Sequence, residues 1–181
     1  RAVMKVKGNA GEHLTSNPPY GYMKSPDDPK HWIKEEEPAQ VMYEIGLYIM
    51  DGFGPSQIAR KLKERKILTP AAYYESKGMK TNVKKQGDPY AWDSSTIADM
   101  MDRWREYLGH TVNFKTRKKS YKSKKTIQNP ESEWAIFENT HEPIWTEAIA
   151  DAAKLARQTR RRPTKMGEMG MFSGMMYCAD C

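Results

Sequence analysis

Residues 36–65 carry two consecutive helical repeats of apolar side chains, joined by the short turn "DGFGP". The first repeat spaces its apolar residues four apart, at Val41, Ile45 and Ile49, and the second does the same with Ile58 and Leu62. This spacing places each set on one face of a helix. Two short helices joined by a glycine turn form an αα corner, the opening of a helix-turn-helix unit. The sequence therefore predicts a helical core.

A third helix is predicted over residues 93–107, after a stretch (67–92) that has no helical repeat and is expected to be an extended arm or loop. Asp93, Ser94 and Ser95 give a strong helix-start signal. One apolar face follows, made of Ile97, Met101, Trp104 and Leu108.

Short strands are predicted on both sides of this helical core. "YGY" at 20–22 and "WI" at 32–33 are expected to be extended, with their aromatic rings at the edge of the domain. "HTVNFKT" and "EWAIFENTH" are predicted to pair as a β-hairpin with a long basic tip, and a closing helix starts after Thr146. The predicted fold class is mainly α within α+β: a helix-turn-helix-like core, a small β-hairpin and a C-terminal helix.

The net charge of +7 lies in one region of the chain. Residues 110–165 hold 13 Lys and Arg against 6 Asp and Glu, whereas the remainder holds 17 of each sign. A localised basic excess is typical of a phosphate-binding surface. A lysine-rich face that only keeps the protein in solution is the alternative on charge alone.

Catalytic motifs are missing from the sequence. The four histidines are scattered, and there is neither a glycine-rich phosphate loop nor a nucleophile elbow. His141 is expected to stabilise a turn rather than act as a base. No apolar run is long enough for a membrane span or a signal core, so a soluble cytoplasmic protein without a small-molecule substrate is expected. This chain by itself is not expected to be an enzyme.

Two groups of residues are candidates for binding double-stranded DNA. The first lies on the polar side of the predicted third helix: Ser94, Ser95, Thr96, Asp99 and Arg103. The second is the hairpin tip, where cations bind phosphates and release counterions: Lys115, Arg117, Lys118, Lys119, Lys122, Lys124 and Lys125. For the helix, an amphipathic core element with a solvated polar face is an equally supported interpretation.

The two cysteines, Cys178 and Cys181, form a single C-x-x-C pair in the last four residues. A structural zinc site needs four ligands, commonly two such pairs, so this pair is interpreted as the first half of a zinc knuckle. The site is incomplete in this fragment, and zinc is expected only in a longer parent protein. A thioredoxin-like redox motif is the less favoured alternative because no helix follows.

Five segments in this order resemble the large serine recombinases, which include phage serine integrases and transposon resolvases. They are "PPYGY", "GPSQIARKLKERKILTP", "WDSSTIADMMDRWREYLG", "FENTHEPIWTEAI" and "FSGMMYCADC". The stretch 70–92 is longer than the family's usual pattern, and "DRWREY" replaces its more common asparagine-containing helix end.

The resemblance implies a function and a division of the chain. Residues 1–17 would be the linker from a separate N-terminal catalytic domain, with Arg1, Lys5 and Lys7 along the DNA. Residues 18–165 would be the recombinase DNA-binding domain, and residues 166–181 would lead into a zinc ribbon. Helix 93–107 would enter the major groove, and Cys178 and Cys181 would be zinc ligands.

The resemblance also implies a site-specific recombinase of bacterial or phage mobile DNA as the full-length parent, an enzyme that self-associates. The hypothesis from a different class is a basic helical module for protein interaction or transcriptional regulation. Its methionine-rich tail, from Met166 to Met176, would contact a partner protein.

Overall fold

The computed structural model describes residues 2–15, 17–79, 87–119 and 125–158. Within them the helices are α1 (Ala2–Asn9), α2 (Glu36–Met50), α3 (Pro55–Glu64), α4 (Pro70–Ser76), α5 (Ser94–Asp102), α6 (Trp104–Tyr107) and α7 (Glu147–Gln158). The strands are β1 (Tyr22–Lys24), β2 (Trp32–Lys34), β3 (Thr111–Asn113), β4 (Thr116–Lys118), β5 (Thr126–Gln128) and β6 (Ala135–Phe137). The mainly helical α+β class is confirmed.

The core lies where α2 and α5 pack against α7 and α3 packs against α5. The predicted apolar repeats supply it, since Ile45, Ile58, Leu62, Ile97 and Met101 are fully buried. Gly46 allows α7 to approach α2 closely, because a Cβ at this position would lie 2.8 Å from a methyl carbon of Ile149. No helix in the described part of the chain is long and apolar enough to cross a bilayer.

The strands form three antiparallel pairs within the described residues. β1 pairs with β2, β3 with β6, and β4 with β5. The β3–β6 pair is the predicted hairpin, and β4–β5 extends it toward the basic tip. The expectation that the aromatic rings of residues 20–33 lie at the domain edge is wrong. Tyr20, Tyr22 and Trp32 are 7%, 1% and 4% exposed and belong to the core.

The third predicted helix is interrupted. The backbone of Arg103 leaves the helical region (φ −96°, ψ 20°), so α5 ends at Asp102 and α6 adds a single turn. The break changes which side chain faces inward: Tyr107 is buried against Tyr22 and Trp145, whereas Leu108 is only half-buried. The single continuous helix expected over residues 93–107 is therefore wrong at its C-terminal end.

The stretch expected to be an extended arm or loop contains α4. Thr69 caps this helix, because its hydroxyl accepts a hydrogen bond from the Ala72 amide at 3.3 Å, and Pro70 occupies the first turn. Tyr73 is buried against Tyr20, and its hydroxyl donates to a carboxylate oxygen of Glu35 at 2.8 Å. The prediction of no helix here is wrong.

The N-terminal arm is helical over α1, which the sequence did not indicate, and its C-terminal end contacts the domain. The Asn113 side-chain amide donates to the carbonyl oxygens of Gly8 and Glu12, at 3.1 and 2.9 Å. The His13 ring stacks on Trp32 with ring centroids 3.5 Å apart. Residues 8–13 are therefore attached to the domain surface by main-chain hydrogen bonds, the stacked His13 ring and an ion pair between Glu12 and Lys30 at 2.9 Å.

His141 has the structural role expected from the sequence. Its Nε2 donates to the carbonyl oxygen of Glu106 at 2.8 Å, and its Nδ1 lies 3.0 Å from the Thr140 hydroxyl. Burial lowers the pKa of His141. The ring thus joins α6 to the turn before α7.

Candidate nucleic-acid interface

The polar face of α5 begins at a filled N-cap. The Asp93 carboxylate accepts the Ser95 amide at 2.7 Å, and the hydrogen bonds from Ser95 lower the pKa of Asp93. Ser95, Asp99 and Arg103 are exposed along this face, whereas Ser94 and Thr96 are half-buried. Because Asp93 already occupies a helix-start amide, the exposed side chains are better placed than the helix terminus to contact a ligand.

A groove of about 610 Å³ runs beside α5, bounded by α6, α7 and the base of the basic hairpin. Three of the predicted DNA-binding residues line it: Asp99 and Arg103 from α5, and Lys115 from the hairpin. The fold therefore brings the polar helix face and the start of the basic segment to one surface. This juxtaposition could not be read from their separation in sequence.

Further cations line the same groove, and sequence reasoning did not select them as site residues. They are Arg105 from α6, and Lys154 and Arg157 from α7. Lys154 and Arg157 are three residues apart, a spacing that puts both on one helix face. The three-residue spacing of these two cations is visible in the sequence and could have indicated a basic face on α7.

Arg105 of α6 holds the hairpin base through its contacts to Trp134 and Glu131. The Arg105 guanidinium lies 4.2 Å from the ring centroid of Trp104 and 5.5 Å from that of Trp134, and it pairs with Glu131. The Trp134 indole nitrogen donates to the Asn129 carbonyl at 3.0 Å. Cation–π contacts of this kind stabilise by about 0.5–2 kcal/mol each. Arg105 is thus a structural bridge between the two walls of the groove.

Acidic side chains pair with several of the cations. Lys115 bonds Glu106 at 2.6 Å in a largely buried pair, and Arg117 lies 3.4 Å from Glu133 on the surface. Arg157 makes two hydrogen bonds to Asp102, which raise the pKa of its guanidinium. The groove therefore carries internal counter-charges as well as positive charge.

The remaining predicted DNA-binding residues are distributed as follows. Lys118, Lys119 and Lys125 are exposed on the hairpin, and Lys5 and Lys7 are exposed on α1. The end of α1 lies beside this hairpin, since a Cβ at Gly8 would overlap the Phe114 ring. Arg1, Lys122 and Lys124 lie outside the described residues.

The predicted metal ligands Cys178 and Cys181 also lie outside the described residues, so their zinc site stays a prediction. Among the residues that are described, no group of three or more His, Cys, Asp or Glu side chains could hold a metal ion.

Comparison with known proteins gives a family match. The family model described as "Recombinase" matches residues 36–160. None of the curated proteins matches the chain. Among solved structures, a chain from "Crystal Structure of a LSR-DNA Complex" aligns with 87% of this chain at 14% identity, with a TM-score of 0.49. This chain spans only 38% of that structure's length. Because the family match extends over well more than half of its residues and agrees with the resemblance found in the sequence, the chain belongs to the Recombinase family.

Proposed function

We propose that this chain is the DNA-binding domain of a large serine recombinase and binds double-stranded DNA with sequence specificity. The observation that carries the proposal is the shared groove, where Asp99 and Arg103 of α5 lie beside Lys115 of the basic hairpin. Arg is the side chain that most often makes specific contacts to base edges, and lysines on mobile or exposed segments bind phosphates. Arg103 thus offers the first kind of contact in the groove. The second comes from the exposed Lys118 and Lys119 of the hairpin that begins at Lys115, since Lys115 itself pairs with Glu106.

α5 is the proposed major-groove helix of a helix-turn-helix-like unit. α3 packs against α5 and exposes Arg60 and Lys63, of which Lys63 pairs with Asp88 at 2.9 Å. The hairpin cations Lys118 and Lys119 would follow the phosphate backbone. α1, with Lys5 and Lys7, would extend the contact along the duplex.

The family supports a proposal for the role of the parent protein. The domain would position a separate serine catalytic domain at a recombination site of mobile DNA, and the parent would self-associate for strand exchange. Cys178 and Cys181 would be the first two ligands of a zinc ribbon, with thiolates as the metal-binding atoms.

The test is a selection of duplexes from a random library with the purified chain. Fluorescence anisotropy over a salt series would then compare the enriched duplex with a scrambled duplex of the same composition. We expect the enriched duplex to bind tighter by about a thousandfold or more, with affinity falling as salt rises. Equal, salt-independent affinities for the two duplexes would refute the proposal.

A second candidate function is a protein-interaction module. α2 exposes Tyr43, Leu47 and Met50, at 42%, 42% and 51%, and their spacing puts them on one helix face. The methionine-rich tail (Met166 to Met176) that was predicted from the sequence to contact a partner lies outside the described residues, and the α2 face is a separate candidate surface for such contact. A stable homodimer that Leu47→Lys converts to a monomer, together with no duplex binding, would favour this function over DNA binding.

A further inference from the structure

Asp102 and Arg157 form a bidentate pair at the edge of the groove. Asp102 is the last residue of α5, and Arg157 lies in the last turn of α7. Arg157 Nε donates to Asp102 Oδ1 at 2.8 Å, and Nη2 donates to Oδ2 at 2.9 Å. The Asp102 side chain is 51% exposed and the Arg157 side chain is 41% exposed, so solvent and ligands reach both.

The pair contributes little to the stability of the fold. An exposed ion pair typically stabilises by about 0–1 kcal/mol. The helices on which it lies are already held together by buried apolar residues, among them Met101 and Ala153. The two hydrogen bonds therefore fix the guanidinium in the groove rather than the helices to each other.

A phosphate group presents the same two-oxygen geometry as a carboxylate and carries more charge. The planar guanidinium fork binds either group through two parallel hydrogen bonds. Arg103 and Lys154 line the groove beside the pair and favour an incoming phosphate, whereas Asp99 opposes it. Asp102 thus occupies the hydrogen-bond donors that a DNA backbone would use.

We propose that Arg157 is a contact for a DNA backbone phosphate and that Asp102 weakens this contact by competing for the same guanidinium. The inference rests on the proposed DNA-binding function. Asp102 withholds the guanidinium from the phosphates of any duplex, whatever its base sequence. The pair therefore lowers the affinity for cognate and non-cognate DNA alike, and the base contacts of α5 set the difference between them.

The test uses the Asp102→Asn variant of the full chain with a fluorescein-labelled scrambled duplex. We expect affinity for this duplex to rise about fivefold, and the slope of log affinity against log salt to steepen by about 0.9, because one more phosphate is bound. Affinity for the selected duplex should rise by a similar factor, so the ratio of the two affinities stays nearly unchanged.

The matched control is Asp151→Asn, which removes the same charge from an exposed position on α7 outside the groove lining. It should change scrambled-duplex affinity by less than Asp102→Asn does, because Arg157 bonds Asp102 and the Asp151 carboxylate acts only through its charge. A second control is the double variant Asp102→Asn with Arg157→Ala. If Asp102 acts through Arg157, the gain from Asp102→Asn disappears in the Arg157→Ala background.

The outcomes separate the inference from the function on which it rests. Wild-type chain that binds no duplex would overturn both. Wild-type chain that binds duplex, with Asp102→Asn matching Asp151→Asn, would overturn the inference alone. Persistence of the Asp102→Asn gain without Arg157 would also overturn it, since the carboxylate would then act only through the general field. Thermal unfolding of each variant confirms that the fold is retained.

Discussion

The indole nitrogen of Trp145 donates a hydrogen bond to the backbone carbonyl oxygen of Met42 at 2.7 Å, in the buried contact between α2 and the start of α7. The two residues are 103 positions apart in the chain. Their bond joins the first large helix of the core to the last. The contact depends on close approach, and Gly46 of α2 provides the space for it.

Gly46→Ala is expected to destabilise the fold. The new methyl would lie 3.0 Å from Trp145 Nε1 and 2.8 Å from Ile149 Cγ2. Overpacking a core costs about 1–3 kcal/mol, more than the gain of roughly 1 kcal/mol from the higher helix propensity of alanine. Urea denaturation measures the change, with the exposed Gln40→Ala on the same helix as control. A higher midpoint for Gly46→Ala would contradict the packing described.

Thr69→Ala should lower the free energy of unfolding by about 1 kcal/mol, because the α4 N-cap loses its hydrogen bond to the Ala72 amide. Thr69→Ser retains a hydroxyl at the cap and serves as the control. Chemical denaturation measures both variants. If serine and alanine destabilise equally, the loss of the threonine methyl rather than of the cap is responsible.

Trp134→Ala should loosen the base of the basic hairpin, because its indole contacts the Arg105 cation and bonds the Asn129 carbonyl. We expect hydrogen-exchange protection of the amides of β5 to fall about tenfold, in line with the loss of one aromatic contact and one hydrogen bond. Ile136→Ala, at a 39%-exposed position on β6, is the control. Unchanged protection in Trp134→Ala would show that the strand pairs alone hold the hairpin.

Arg103→Ala and the double variant Lys118→Ala/Lys119→Ala should weaken DNA binding in different ways. Arg103→Ala should lower affinity for the selected duplex by about 1–3 kcal/mol and relax its sequence preference. The lysine variant should weaken binding to every duplex and reduce the salt slope by about 1 per lysine. Anisotropy over a salt series measures both, with Lys24→Ala on exposed β1 as the control for net charge. Identical behaviour of the two variants would contradict the assignment of base contacts to α5.

Attachment of the arm should weaken in acid. Burial and the neighbouring His141 and His31 lower the pKa of His13 from its ordinary value of 6.5 to about 4. Because the detached ring binds a proton more readily than the stacked ring, the attached state loses stability as the pH falls from about 6.5 to about 4. Hydrogen-exchange protection factors of residues 2–12 at pH 7 and pH 5 measure this loss.

His13→Phe tests that prediction directly, since it keeps a ring to stack on Trp32 but cannot titrate. Its protection factors should be the same at both pH values. His31→Gln removes an exposed imidazole from the same region and should leave the pH dependence in place. A pH dependence that survives in His13→Phe would assign it to another group.

The sequence predicted the core helices well, because α2, α3 and α7 bury apolar faces whose spacing is visible without the fold. It failed where distant contacts decide the structure. α4 is short and held by Tyr73 against Tyr20 and Glu35, so no repeat could reveal it, although Thr69 and Pro70 are a cap and first-turn pair. The break at Arg103 accompanies burial of Tyr107 against two distant rings, which the local apolar spacing does not reveal.

The sequence predicted only part of the candidate site, because the rest of the site depends on contacts between residues that are distant in the chain. Arg103 and Lys115 are recognisable as a helix-face cation and a hairpin cation, but the groove between them depends on tertiary packing. Trp134 reaches it from the base of the hairpin, and Lys154 and Arg157 reach it from α7. Lysine counts could not show that Lys115 pairs with Glu106, because ion pairing depends on distances in the folded chain.

The contacts that attach the arm have an evolutionary consequence. Asn113 binds the main-chain oxygens of Gly8 and Glu12 and no side chain between them. Asn9 and Ala10 are exposed, so neither is needed for the attachment. Substitutions at these two positions can accumulate without changing the direction in which the arm leaves the domain. The main-chain hydrogen bonds at Gly8 and Glu12 thus fix the conformation of the junction, whereas the side chains of Asn9 and Ala10 on its outer surface are free to vary.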